Sequence, residues 1–215
     1  MIGRIALLAL SWLAAQPAIA QTAPPSAPTV DAAPAVAPLP KPATVRVTLQ
    51  TSEGPIVLEL EKERAPITTA NFLHYVDQKR FDGIGFYRAA KMAPDFGLVQ
   101  AGIRDPRKTF PPIAHEPTSK TGLSHVDGTI SMARNAPGTA GADFFIIVGD
   151  MPSLDADPKQ PGDKLGFAAF GHVVVGMDIV HHILDAPKSP TLGEGVMKGQ
   201  MLSEPIRILT ARRGG

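Results

Sequence analysis

From residue 45 onward the chain alternates. Val45, Val47 and Leu49 are apolar; Arg46, Thr48 and Gln50 are polar. A period of two predicts a half-buried strand. Ser52-Glu53-Gly54 reads as a turn and residues 55–60 as the returning strand, so the two form a hairpin. The period then changes. Pro66 suits the first turn of a helix, where a missing N–H costs nothing. Phe72, Leu73 and Val76, at i, i+1 and i+4, make that helix's buried stripe, and Asp82-Gly83 is expected to stop it. Strand-like runs follow at 84–90, 97–103, 129–134, 144–148 and 168–175. A second short helix fits 177–184. The segment PIRILTA, 205–211, closes the pattern with Ile206 and Ile208 flanking Arg207. Many short strands with turn signals and only two helices predict an all-β-dominated, closed antiparallel barrel rather than a parallel sheet.

Upstream the pattern is different. Arg4 is the only charge in the first twenty residues, and residues 5–15 (IALLALSWLAA) are an apolar run too short to span a bilayer. Pro17 precedes Ala18-Ile19-Ala20, a small-x-small cleavage site. Residues 1–20 therefore read as a signal peptide cut after Ala20, which places the product in the periplasm or outside the cell with no membrane span left. Cleavage removes Trp12, the only tryptophan. The mature protein is expected to show tyrosine-type emission; an indole band in exported material would mean that the segment is retained. Residues 21–43 hold seven of the 22 prolines and have neither period. They read as a polyproline-like linker, leaving 44–213 as the folded domain.

Composition narrows the chemistry. Hydrophobic residues make up 44%, enough for a core, and the formal charge is +1. Without Arg4 the balance is zero, so no basic field exists to hold nucleic acid or anionic lipid. Cysteine is absent, which excludes disulfides, thiolate zinc sites and cysteine nucleophiles. Asp155, Asp157 and Asp163 look like part of a calcium loop but lack its glycine and terminal glutamate. The histidines have no metal-ligand spacing. No G-x-S-x-G elbow, Walker loop or other nucleophile–base constellation is visible.

Residues 86–102 read FYRAAKMAPDFGLVQAG and residues 128–146 read GTISMARNAPGTAGADFFI. Together they resemble the two signature blocks of cyclophilins, F-x-R…Q-x-G and G-x-x-x-M-A…F-F-I. The helix APITTANFLHYVD and the segment FGHVVVGMDIVHHI resemble two further blocks, in the family's order, over nearly all of 44–213. The resemblance implies an eight-stranded antiparallel barrel capped by two α-helices. It also implies peptidyl-prolyl cis-trans isomerase activity on proline-containing unfolded or exported polypeptides, by a monomer without metal or cofactor.

The implied chemistry is rotation about an X-Pro amide, whose barrier is about 18–20 kcal/mol. At the top of the barrier the nitrogen is pyramidal and its lone pair is free. A donor aimed at that lone pair acts only in the twisted state and so lowers the barrier. By resemblance Arg88 is that donor, and arginine suits the task because it stays protonated and carries several fixed N–H groups. One charged hydrogen bond is worth roughly 1.5–3 kcal/mol. The remainder falls to an apolar pocket, which favours the less polar twisted amide.

The resemblance assigns Gln100 to orienting the arginine and Phe145 to the pocket floor. Leu98 stands where the family usually has methionine. Ala133 and Arg134 form the edge that pairs with peptide, with arginine in place of asparagine and the flanking subsites altered. Phe86, Leu154 and Phe167 complete the expected site, Phe167 replacing a histidine or tyrosine. Other positions depart further. Ser153 stands at an expected aromatic, and Asp143 replaces a glutamine. The stretch between Arg88 and Gln100 is a few residues longer than usual. A second pocket phenylalanine falls on Gly97; whether Phe96 takes its place depends on strand register, because neighbouring residues face opposite sides. The retained arginine favours an enzyme. The replaced aromatics favour a binding module or holdase that has kept the groove and lost turnover.

Overall fold

The computed structural model describes residues 43–214. The expected signal peptide and all but the last residue of the linker lie outside the described residues. Eight strands form one closed barrel: β1 (Val45–Thr51), β2 (Gly54–Leu60), β3 (Gly85–Ala93), β4 (Phe96–Gly102), β5 (Thr129–Met132), β6 (Phe144–Val148), β7 (Ala168–Val175) and β8 (Met201–Arg213). Around the barrel the order is β1-β2-β7-β5-β6-β4-β3-β8, and every pairing is antiparallel. The β1 alternation works as its pattern predicts: Val47 and Leu49 are buried while Arg46 and Gln50 are exposed.

The interior is filled by Phe72, Phe81, Phe86, Phe144 and Phe170, packed ring against ring at centroid separations from 4.9 to 6.1 Å. Phe72 comes from helix α1 (Pro66–Asp77), whose stripe of Phe72, Leu73 and Val76 is buried as expected. Helix α3 (Met177–Asp185) packs on β2, β3, β4 and β6. Those strands lie on different sides of the barrel, so α3 must cross an open end, and its Val180, Ile183 and Leu184 close that end.

Helix α1 has Pro66 at its start and no capping side chain of its own. The cap comes from Glu116, 48 residues beyond Thr68. This buried carboxylate accepts from the Ile67 N–H (3.2 Å), the Thr68 N–H (2.7 Å) and the Thr68 hydroxyl (2.7 Å). A carboxylate there both satisfies orphan donors and complements the positive end of the helix.

Four details differ from the expected pattern. α1 ends at Asp77, not at Asp82-Gly83. Its stripe runs out at Gln78, Lys79 turns with φ +54°, and the Arg80 N–H closes on the Tyr75 carbonyl. A third helix, the single turn α2 (Thr118–Thr121), joins the two expected. The longer stretch after Arg88 lengthens the β3–β4 hairpin, whose tip turns at Asp95 with φ +50°. β8 runs past the expected 205–211 at both ends, and its Arg212 and Arg213 pair with Asp82 and Asp77. No helix among the described residues is long and apolar enough to cross a membrane.

Candidate active site

The site lies on the outside of the barrel wall, and one backbone irregularity on β3 decides what faces it. Phe86 pairs with Ala101 on β4 while Arg88 pairs with Gln100, so Tyr87 is the extra residue of a bulge. Without it Arg88 would share the inward face of Phe86. With it, Tyr87 and Arg88 both point outward, and Phe86 and Ala89 both point into the core. On β4 and β6 regular alternation does the rest. Leu98 and Gln100 face out while Val99 and Ala101 face in; Phe145 and Ile147 face out while Phe144 and Ile146 face in.

These outward side chains line a cavity of about 630 Å³. Arg88, Leu98, Gln100, Ala133, Arg134, Phe145, Leu154 and Phe167 all border it. Two of the expected residues do not. Phe86 is fully buried in the barrel interior, placed there by the bulge. Phe96 shares the outward face of Leu98 but sits behind the floor, among Phe145, Ile147 and Met151 and against Gly149. Nor does any ring fit at Gly97: a Cβ there would lie 2.3 Å from the Ala90 carbonyl oxygen and 2.9 Å from Leu184.

The floor is apolar. Phe145 meets Phe167 edge to face at 5.5 Å, and Leu154 and Phe167 are tied by the Phe167 N–H to the Leu154 carbonyl, 2.9 Å. Arg134 does not reach into the cavity as a charge. Its guanidinium forks onto Asp163 (2.8 and 3.0 Å), donates to the Gly166 carbonyl and stacks over Phe167 at 5.1 Å. That pairing holds the Asp163 carboxyl below its ordinary pKa. Arg134 therefore fixes the wall carrying Phe167 more than it alters a charged subsite. Ala133 already gives its N–H to the Asp143 carbonyl, so peptide pairing on this edge must use other backbone groups.

On the polar side Arg88 is half-buried, and desolvation lowers its pKa from the usual guanidinium value. It has no carboxylate partner among its hydrogen bonds. Nη1 donates to Gln100 Oε1 (2.9 Å), and Nε and Nη2 both donate to Gln200 Oε1 (2.9 and 2.6 Å). A guanidinium has five N–H donors. Three are held by the two amides, which leaves one on each terminal nitrogen. Gln100 in turn donates from Nε2 to the Tyr87 hydroxyl, 2.7 Å. Tyr87 lies under the Arg104 guanidinium, and burial, then the nearby Asp143 carboxyl, push its pKa up to about 12. Burial also raises Asp143, whose Oδ1 has no hydrogen-bond partner. That oxygen packs over Gly102, where a Cβ would come within 1.6 Å. Arg104 and Gln200 carry no signal in the sequence pattern; only the fold brings Gln200 to Arg88 and Arg104 over Tyr87.

A serine–histidine–aspartate chain, invisible in the sequence, underlies the floor. Asp155 accepts from His125 Nδ1, and His125 Nε2 faces Ser131 Oγ at 2.9 Å. The carboxylate requires the proton on Nδ1, so Nε2 accepts from the serine. Both Ser131 and His125 are fully buried, and neither lines the cavity. The chain therefore works as a clip: it ties the loop carrying Leu154 beneath Phe145, on whose ring His125 stacks. Asp155 and Asp163 are thus both engaged by side chains, not gathered as a cation loop.

Burial, opposed by the Asp155 hydrogen bond, lowers the His125 pKa. The unfolded chain takes up this proton near pH 6.5, the folded chain only at lower pH. Its contribution to stability is complete above about pH 6.5 and is lost as pH falls from there toward the folded-state value. Denaturant midpoints should fall between pH 7 and pH 5, and less steeply in His125→Gln; equal slopes would remove His125 from this role.

Known proteins can be set beside this geometry. The family model for cyclophilin type peptidyl-prolyl cis-trans isomerase matches residues 46–212. A peptidyl-prolyl cis-trans isomerase of Acinetobacter baylyi is 33% identical over 174 residues, covering 79% of this chain and 86% of that protein. One from Streptomyces antibioticus is 37% identical over 171 residues, covering 77% and 96%. Among solved structures, a Cryptosporidium parvum cyclophilin type isomerase superposes with a TM-score of 0.64 at 20% identity, covering 80% of this chain and 99% of that one. The same protein in the presence of the dipeptide Ala-Pro gives 0.63 at 21%.

Proposed function

The chain belongs to the cyclophilin-type peptidyl-prolyl cis-trans isomerases, and on that premise we propose that Arg88 is its catalytic cation and that its substrates are X-Pro bonds of polypeptides folding after export. The observation that carries this reading is the Arg88 guanidinium. It stands beside an apolar floor, oriented by two neutral amides, with two N–H donors unspent.

A proline ring seated against Phe145, Leu98 and Phe167 brings its imide nitrogen within reach of those donors. In the planar amide the nitrogen lone pair is delocalised and accepts poorly. As the bond twists, the pair localises and the cation binds it, so the interaction grows toward the transition state. The apolar walls add to this by excluding water from an amide whose dipole falls as it twists. No covalent bond is made or broken and no proton is transferred.

The assignment to exported substrates rests on residues 1–20, with their apolar run and Ala-Ile-Ala site. The test of the mechanism is isomerisation of an Ala-Pro peptide by the whole chain, followed by exchange NMR so that no coupling protease is needed. Wild type should accelerate exchange and Arg88→Ala should do so far more weakly. Equal rates in the two would defeat the proposal.

A further inference from the structure

Gln200 lies outside the four quoted sequence blocks, yet it makes two of the three hydrogen bonds that hold Arg88. It sits where a loop, residues 187–200, rejoins the barrel. The loop is closed at its base by the Lys188–Leu202 bridge and by bonds from Ser189 to Met201 (2.8 Å) and Ser203 to Pro187 (2.9 Å). Its last turn is fixed by the Gln200 N–H on the Met197 carbonyl, 3.0 Å. The Gln200 carbonyl takes the Ala89 N–H at 2.8 Å, so its backbone is stitched to the residue after Arg88. The side chain then returns to the guanidinium, and Met197 of the same loop borders the cavity.

We propose that Gln200 is a positioning residue for the isomerase reaction: it locks the Arg88 guanidinium in the orientation that aims its free donors at the prolyl nitrogen, without neutralising its charge. The inference rests on the catalytic role proposed above for Arg88. A long, flexible arginine has several rotamers, and a single bond to Gln100 leaves the planar group free to swing about that contact. Bonds at Nε and Nη2 to one oxygen fix the opposite edge of the plane, as a carboxylate fork would. A carboxylate would do so at a cost: its negative charge would compete with the twisted imide for the cation. An amide oxygen orients the group and leaves the full positive charge for the substrate.

Three variants of the whole chain test this. Gln200→Ala should lower kcat/KM by about tenfold, mostly in kcat, the loss expected from one misaimed charged hydrogen bond. In ¹⁵N-labelled protein its Arg88 Nε–H should exchange with solvent faster than in wild type. Gln200→Glu should grip Arg88 as firmly but be poor at pH 8 and recover as pH falls through the new carboxyl's range, while wild type stays flat there. Wild-type kcat in Gln200→Ala with its fold intact, or a pH-independent Gln200→Glu, would overturn the assignment. Arg88→Ala serves as the reference. Full activity in Arg88→Ala defeats the proposed mechanism itself; an inactive Arg88→Ala beside a fully active Gln200→Ala defeats only this inference.

Discussion

Arg88→Ala should cost roughly a hundredfold in kcat/KM while the protein still folds and still binds proline peptides within a few-fold of wild type. The size follows from a charged hydrogen bond worth about 1.5–3 kcal/mol, which is about ten- to a hundred-and-fiftyfold in rate. Some acceleration should survive, because the apolar floor is untouched and continues to favour the twisted amide. The fold should survive because Arg88 is half-buried on the outer face, away from the barrel core. Its removal leaves the Gln100 and Gln200 amides without their main partner, a loss of about 1 kcal/mol in stability once water replaces the guanidinium. Arg88→Lys should fall between the two, since one ammonium point charge cannot engage both amides and still present a fixed donor. If the protein were a binding module, wild type and Arg88→Ala would bind peptide alike and neither would speed exchange.

Phe145→Ala should do the opposite. Phe145 is 4% exposed, packs with Ile147, Met151, Leu98 and Leu154, meets Phe167 edge-on and carries His125 on its face. Truncating a ring in such a place costs about 3–5 kcal/mol, part lost burial and part the void left behind. Thermal unfolding should drop accordingly, and peptide affinity should collapse because the proline ring loses its floor. Phe145→Leu refills most of the volume and should recover most of the stability but less of the affinity. Together the two sites predict a split: the arginine variant chiefly affects kcat, the phenylalanine variant chiefly KM and stability. Wild-type affinity in Phe145→Ala would remove Phe145 from the binding site and leave it as packing alone.

The parts of the site that were legible share one property: they sit on regular strands. Leu98, Gln100 and Phe145 alternate with core residues, but FFIIV is apolar throughout and its pattern marks no face. It is the resemblance to the family that assigns these three to the site, and regular strand geometry then gives them one common face. Phe86 was misplaced for the complementary reason. Strict alternation puts Phe86 and Arg88 on one face, and only the extra residue in the β3–β4 ladder separates them. A bulge has no firm mark in a single sequence, because it is chosen by the partner strand. Phe96 shows the same limit, since a correct face does not say how far along it the cavity extends.

The sequence by itself determined the barrel's strands and the two larger helices, because periodicity and local turn chemistry act between near neighbours; its resemblance to the cyclophilins singled out one arginine. Tertiary structure alone decided what holds that arginine. Gln200 meets Arg88 across 112 residues, Glu116 caps α1 from 48 residues beyond Thr68, and His125 clips Asp155 across 30. Polar partners are chosen by closure of the barrel, which brings distant segments to within one hydrogen bond, and a hydrogen bond leaves no period in the chain that makes it.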